Sequence, residues 1–374
     1  MVTLSLLGMA LSSACATLAP NPTDMPDLSG PITSLEQWPA SRPFRFLVVG
    51  DTQRAALGRP TNDPPRHAIY DRLLVALADS SAAFVVHVGD LVENGSNGSH
   101  WRDHFDAPFW DRLAPIHRAR FLPIPGNHEY KTTVPYYGGG DLHRYFDRFP
   151  HLEGRRYYHF FHAGAGFIYL DSGRNGVAKR LFGERWQNGL EEQIDWLRHV
   201  VFPQIRRRSA EGQLDRLFVF YHKPAYPTPI TLRNRQSGEV LELFDDLNRD
   251  LGYRLEVVAF SGHIHTFSHI VRDYNGDGQG PVDQFVTGGG GGPQRGWKYY
   301  RKIQRPEDLD QYRRRKYTEL AAGSSLDESA FTRVRQDSTH FGYLEIAVDE
   351  RLQVIYHRYD PQTDSFFDDY TFTR

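Results

Sequence analysis

FRFLVVGD (Phe44–Asp51) and AFVVHVGD (Ala83–Asp90) are built alike, each a near-continuous apolar run that stops at a Gly-Asp pair. A short run of this kind, closed by a glycine turn, reads as a strand buried on both faces. The pattern recurs outward from these two. RFLPI (Arg120–Ile124) leads into Gly126-Asn127-His128-Glu129, LFVFY (Leu217–Tyr221) ends in His222, and LEVVAF (Leu255–Phe260) ends in Gly262-His263-Ile264-His265. Between the runs, Ile69, Leu73, Ala76 and Leu77 share one helical face, as do Leu190, Ile194, Leu197 and Val201. The alternation predicts a mainly parallel sheet with ligand-binding loops at the carboxyl ends of its strands. Further along, Tyr343–Val348, Leu352–Tyr359 and Phe366–Phe372 read as antiparallel strands without helices, and predict a second sheet packed on the first.

Composition narrows the function. The 374 residues carry 44 Lys+Arg against 46 Asp+Glu, a formal charge of -2, which argues against a dedicated nucleic-acid binder. Hydrophobic content of 40% with 24% charged residues excludes a disordered tail or a membrane bundle. The single cysteine, Cys15, excludes a disulfide framework and a cysteine-built metal site, whereas 17 histidines direct attention to a histidine-built one. Residues 1–16 hold the apolar stretch LSLLGMAL (Leu4–Leu11) and then SSAC, which reads as an export signal with Cys15 as the lipid-carrying residue, the alternative being ordinary cleavage after Ala16 with Ala14-Cys15-Ala16 as the small-x-small site. The expected location is periplasmic or outer-membrane-anchored, with membrane contact only through that lipid. Residues 17–42 read as a tether, and 43–374 as one domain with a basic, Tyr-rich insertion at about 293–335.

Five strand ends deliver, in order, Asp51 and Gln53, Asp90, Asn127 and His128, His222, and His263 with His265. Carboxylates, amide oxygens and imidazoles form a ligand set for divalent Mn, Fe, Zn or Mg. His263 and His265, two apart on an extended segment, would point the same way and serve adjacent ions. A carboxylate such as Asp90 can bridge a metal pair, a device for in-line displacement at phosphorus.

Gly50-Asp51-x-Gln53, Gly89-Asp90-x4-Gly95, Gly126-Asn127-His128-Glu129, the His222 strand end and Gly262-His263-x-His265 together resemble the five motifs of the calcineurin-like metallophosphoesterases. Tyr169-Leu170-Asp171-Ser172 and Gln193-x2-Trp196-Leu197 are family-like as well. The resemblance implies an α/β fold, a four-layer α/β/β/α sandwich of two mixed sheets. It also implies two divalent ions, one held by Asp51, Gln53, Asp90 and His265, the other by Asp90, Asn127, His222 and His263. A hydroxide between them would attack a small phosphorylated mono- or diester, with His128 near the leaving group and Asn127 adding stabilisation. Apart from the resemblance, Arg54 and Lys223 flank proposed ligands directly, which reads either as contact with the phosphate or as exposed salt-bridging. Gln53 stands where the family most often has histidine, which shifts the first site towards a harder ion. Glu93 stands where the purple acid phosphatase branch carries tyrosine, an argument against a purple iron centre. A different class remains open beside this one: a catalytically weak, metal-stabilised envelope binding or scaffolding protein.

Two other signals stand out. Asp273, Asn275 and Asp277 resemble the first half of an EF-hand loop and would take a structural Ca, but the twelfth position is Gln284; a hairpin turn between two strands is the competing reading. Gly288–Gly292 reads as a flexible rim of the site or as a plain bend.

Overall fold

The structure is a computed structural model that describes residues 42–54, 63–131, 142–172, 188–225, 235–273, 278–292, 331–337 and 340–374. Cys15 and the export segment, Asn275, Asp277 and most of the basic insertion lie outside these residues.

Every apolar run read above forms a strand. β1 (Phe44–Val49), β2 (Phe84–His87) and β3 (Phe121–Pro123) are followed by the hairpin β4 (Tyr158–His162) and β5 (Ala165–Tyr169), then β6 (Arg216–Phe220) and β7 (Glu256–Ser261). β8 (Phe267–Arg272), β9 (Val282–Thr287), β10 (Phe331–Asp337), β11 (Gly342–Val348), β12 (Leu352–Asp360) and β13 (Ser365–Thr373) complete the set. One sheet runs β13-β12-β11-β1-β2-β3 and the other β10-β8-β9-β7-β6-β5-β4. Both are mixed. β1, β2 and β3 pair in parallel, as do β5, β6, β7 and β9.

The partition of strands differs from the sequence reading. The five strands with functional ends do not share one sheet: β1 to β3 lie in the first, β6 and β7 in the second. Nor do the C-terminal hairpins build a separate sheet, because β11 pairs antiparallel with β1, in register Phe46↔Ile346, and carries β12 and β13 with it. An apolar run reports that a strand is covered on both faces. It does not report which sheet holds it.

Aromatic side chains join the two sheets. Phe46 of β1 meets Phe167 and Phe218 edge-on at 5.5 and 5.2 Å, and Phe84 of β2 meets Phe167 at 5.2 Å. Residues one position along, Leu217, Val219 and Val257, face the opposite way and pack with Leu197 and Val201 of the π-helical segment Leu197–Val201, Ile205 of helix Phe202–Ala210 and Phe244 of helix Arg235–Asp250. On the outer side of the first sheet, Tyr70 of helix Asp63–Ala78 stacks on Phe109 at 5.0 Å, and Phe109 lies 5.1 Å from Phe121 of β3. Helix, sheet, sheet, helix is thus the layer order, as expected. Among the described residues no helix is long and apolar enough to cross a membrane.

β8 and β9 form the hairpin expected around Asp273, with Arg272 opposite Val282. The Asp273 carboxylate accepts the Gly278 N–H at 2.7 Å, which supports the turn reading at that residue.

Three histidines packed into this framework, His104 and His159 buried and His151 partly so, have pKa values depressed by desolvation to about 4. The folded chain resists their protonation, whereas the unfolded chain takes up protons near the ordinary value of 6.5. Their contribution is therefore complete above about pH 6.5 and is lost as pH falls towards 4. The urea midpoint should drop over that window, and His159→Phe, which sits edge-on to Phe161 and Trp196, should flatten the slope. A midpoint constant from pH 6.5 to 4 would refute this account.

Candidate metal centre

The carboxyl ends of β1, β2, β3, β6 and β7 meet at one edge of the sandwich, and side chains from both sheets interlock there. The His263 N–H donates to Asp51 Oδ2 at 2.7 Å. His222 Nδ1 is 2.8 Å from the Val88 carbonyl and so donates its hydrogen to it, leaving Nε2 facing the site. That nitrogen lies 3.1 Å from Asn127 Oδ1, 3.2 Å from His263 Nδ1 and 3.3 Å from Asp90 Oδ2, and it can ligate a cation once its own proton is given up. Around Asp51 the pattern repeats: its Oδ1 is buried, accepts no hydrogen bond, and lies 3.2 Å from His265 Nε2. With the Gln53 amide oriented so that its oxygen faces His265 Nε2 at 3.2 Å, its nitrogen donates to the Asp90 carbonyl at 2.8 Å.

The donors fall into two groups, Asp90 with His222 and His263, and Asp51 with Asp90 and His265; within each, ligand atoms lie within 4.8 Å of one another. Asp90 belongs to both. Burial opposes a charge on Asp90, but His128 and His222 outweigh it and hold the carboxyl well below its usual range. Conversely, burial would depress His222, yet Asp90 raises it to about 9. Such a pocket favours an added positive charge, and an orphaned carboxylate oxygen beside convergent lone pairs is a donor set that divalent cations satisfy.

Backbone conformation aims these groups. Asp51, Asp90 and His263 each follow a glycine at a strand end, and each is left-handed, with φ of 58°, 59° and 67°. Left-handed backbone costs a non-glycine residue about 1–3 kcal/mol and is typical of functional positions. The segment Gly262–His265 is consequently not extended. His263 and His265 still reach different donor groups, but through a kink rather than a shared strand face. The turns also pack too closely for side chains: a Cβ at Gly126 would come within 2.3 Å of Asp90 Oδ1.

The family described as calcineurin-like phosphoesterase matches residues 44–267, more than half of the chain. The chain belongs to the calcineurin-like phosphoesterases. Among solved structures, it superposes on a purple acid phosphatase from yellow lupin (Lupinus luteus) seeds with a TM-score of 0.54 and 15% identity, covering 89% of this chain and 54% of that one. A dimetal phosphatase from Danio rerio gives a TM-score of 0.44 at 15% identity, covering 88% of this chain and 98% of that one. At these identities the likeness is one of fold, and the chain spans about half the length of the lupin protein. No curated protein matches it significantly in sequence.

In this calcineurin-like phosphoesterase the structure brings Asp51, Gln53, Asp90, Asn127, His222, His263 and His265 together. His128 is beside them, its Nε2 3.7 Å from Asp90 Oδ2. Burial depresses His128, but Asp90 and Glu93 outweigh that and raise it above its ordinary value. Arg54 is ion-paired with Asp63 at 3.1 Å. Gly288–Gly292 is not a loose rim. It is buried and hydrogen-bonded as a backbone seam, Gly288 N–H to Thr266 and Gly290 N–H to Gly50, and a Cβ at Gly292 would lie 2.7 Å from the Asp51 carbonyl and 3.1 Å from the Gln53 amide.

Sequence reasoning passed over several supporting groups. The Glu129 carboxylate, quoted only as part of a motif, accepts the backbone N–H groups of Gly126 (2.7 Å), Leu91 (2.8 Å), Asp90 (2.9 Å) and Val92 (3.2 Å). Burial and the nearby Asp90 raise its pKa to about 7. His87, depressed by burial to about 3, accepts the Gly89 N–H at Nδ1 (3.2 Å) and so donates from Nε2 to Thr52 Oγ1 at 3.0 Å. Glu93 pairs with His128 Nδ1 at 3.2 Å and with Lys131 Nζ at 3.0 Å. The family-like Asp171 and Gln193 exchange reciprocal bonds, and Ser172 Oγ accepts the Lys223 N–H at 2.8 Å, pinning the loop that carries His222. The signal for Glu129 and Glu93 was available, since a carboxylate two or three residues from a ligand is worth placing; that for His87, inside an apolar strand, was not.

Two outcomes follow from this geometry. Glu129→Gln leaves buried N–H groups facing an amide, and should cost about 2–3 kcal/mol in urea unfolding; a change within error would show that the four bonds are dispensable. His263→Gly relieves the left-handed strain, so with chelator present it should melt no lower than the parent, while the metal-induced rise in Tm shrinks. A lower chelated Tm would contradict the strain.

Proposed function

We propose that the protein hydrolyses phosphate mono- or diesters with a dinuclear divalent metal centre. The observation that carries the proposal is Asp90, one buried carboxylate shared by both donor groups. Asp51, Gln53 and His265 would hold one ion and Asn127, His222 and His263 the other, Asp90 bridging. When bound, such ions supply a water of lowered pKa and Lewis acidity at the phosphoryl group. The chain's own residues do the rest. Asn127, itself one of the donors, and His128 beside them orient the phosphoryl oxygens, and His128, with its raised pKa, holds a proton for the leaving group. His87 and Glu129 fix the turns from beneath. Fold likeness to a phosphatase and family membership support the reading. Gln53 reaches the first group with an amide oxygen, which suits a harder ion than zinc.

We extend the proposal to the address of the protein: export, with lipid attached at Cys15. Lipid labelling that survives Cys15→Ser would refute that part.

The test is turnover of aryl phosphate monoesters and diesters by metal-stripped protein reloaded with Mn, Fe, Zn or Mg. Metal-dependent hydrolysis is expected, reduced by about 10²–10³-fold or more in Asp90→Ala and His263→Ala. Full rates in either variant would overturn the assignment of the centre. Absence of turnover with every metal would favour a metal-stabilised binding protein, with Gln53 the first residue to restore to histidine.

A further inference from the structure

We propose that Lys131 selects phosphate monoesters over diesters at this site. The inference rests on the phosphoesterase reading and carries it to a substrate class.

Lys131 Nζ lies 2.7 Å from His128 Nδ1, 3.0 Å from His128 Nε2 and 3.0 Å from Glu93 Oε1. The backbone fixes its origin. The Lys131 N–H donates to the His128 carbonyl at 3.2 Å and its carbonyl accepts from Ser96 at 3.2 Å, so the residue closes the Gly-Asn-His-Glu turn. Exposure rises in steps from Asp90, whose side chain is 1% exposed, through His128 at 7% to Lys131 at 35%. Lys131 is thus the more exposed neighbour of His128, and His128 Nε2 stands 3.7 Å from the carboxylate common to both donor groups.

A phosphate monoester has three non-bridging oxygens and close to two negative charges at neutral pH, because its second pKa is about 6. A diester has two such oxygens and one charge. The oxygen that distinguishes them is free in the monoester and alkylated in the diester. His128 Nε2 and Lys131 Nζ lie 3.0 Å apart, and at that spacing both could donate to one such oxygen. An ammonium has three N–H donors; Glu93 takes one and holds the group in place without exhausting it. An alkylated oxygen is a poor acceptor, and its alkyl group would displace water from the ammonium without replacing the lost hydrogen bonds. Discrimination of this kind, in which the wrong substrate leaves a polar group unpaired, is stronger than that from shape alone.

The experiment compares metal-loaded parent, Lys131→Met and Lys131→Arg on aryl monoester and diester substrates, with inorganic phosphate binding to the same proteins followed by isothermal titration. Lys131→Met should lower monoester kcat/KM by about 10- to 100-fold and leave the diester value within about threefold. Lys131→Arg should keep most of the monoester preference, and inorganic phosphate should bind the Met variant about tenfold more weakly. Parallel loss on both substrates would mean that Lys131 only props His128, and would overturn the proposal. Should the parent turn over neither ester, the phosphoesterase reading fails on its own account. Phosphate binding then decides for Lys131: weaker binding to the Met variant upholds an oxyanion-selecting site, and unchanged binding refutes it.

Discussion

One buried carboxylate organises the site, although it belongs to neither donor group. Glu129 gathers four backbone N–H groups, three from the turn after β2 and one from the turn after β3. Those N–H groups cannot be satisfied by a sheet, because the strands have ended, nor by solvent, because the turns are buried. Glu129 answers both needs and ties the two turns into one unit. Asp90 and Asn127 come from that unit, and the Asp90 carboxylate in turn accepts the His128 N–H at 2.8 Å.

The second sheet is joined to this unit by polar contacts rather than by packing alone. Phenylalanines hold the sheets face to face, but that interaction is non-directional and tolerates sliding by a fraction of an ångström. The bonds from His222 to the Val88 carbonyl and from the His263 N–H to Asp51 are directional, and they set the register between strand ends of different sheets. Left-handed backbone at Asp51, Asp90 and His263 stores strain where those contacts hold it. Close glycines allow the approach, and the seam Gly288–Gly292 presses backbone directly against Asp51 and Gln53.

Much of this was legible in the sequence because strand ends are written locally. An apolar run followed by Gly-Asp or Gly-His marks both the strand and the point where it stops, and the seven expected metal ligands, Asn127 and His222 without that mark, lie at or just beyond strand ends and meet in space. The C-terminal strands were legible for the same reason. What was misread involved partners distant in the chain. β1 takes β11 as its neighbour across some three hundred residues, and nothing within Phe44–Val49 encodes that choice. The glycine run looked flexible because glycine is permissive in isolation; its tight packing comes from Thr266, Gly50 and Asp51 beyond it. Lys131 drew no notice, since a lysine after a motif is ordinary until its ammonium is found against His128.

The sequence by itself determined the element types, the layered α/β class and the identity of the candidate ligands. Each of these follows from short-range chemistry: apolar periodicity, a glycine at a strand end, a residue type with a lone pair. Tertiary structure decided which strands share a sheet, that Asp90 stands between two donor groups, that Glu129 and His87 support them, and that Lys131 reaches His128. These are relations among side chains brought together by long-range pairing and burial, and direction and distance exist only once the two sheets have closed on each other.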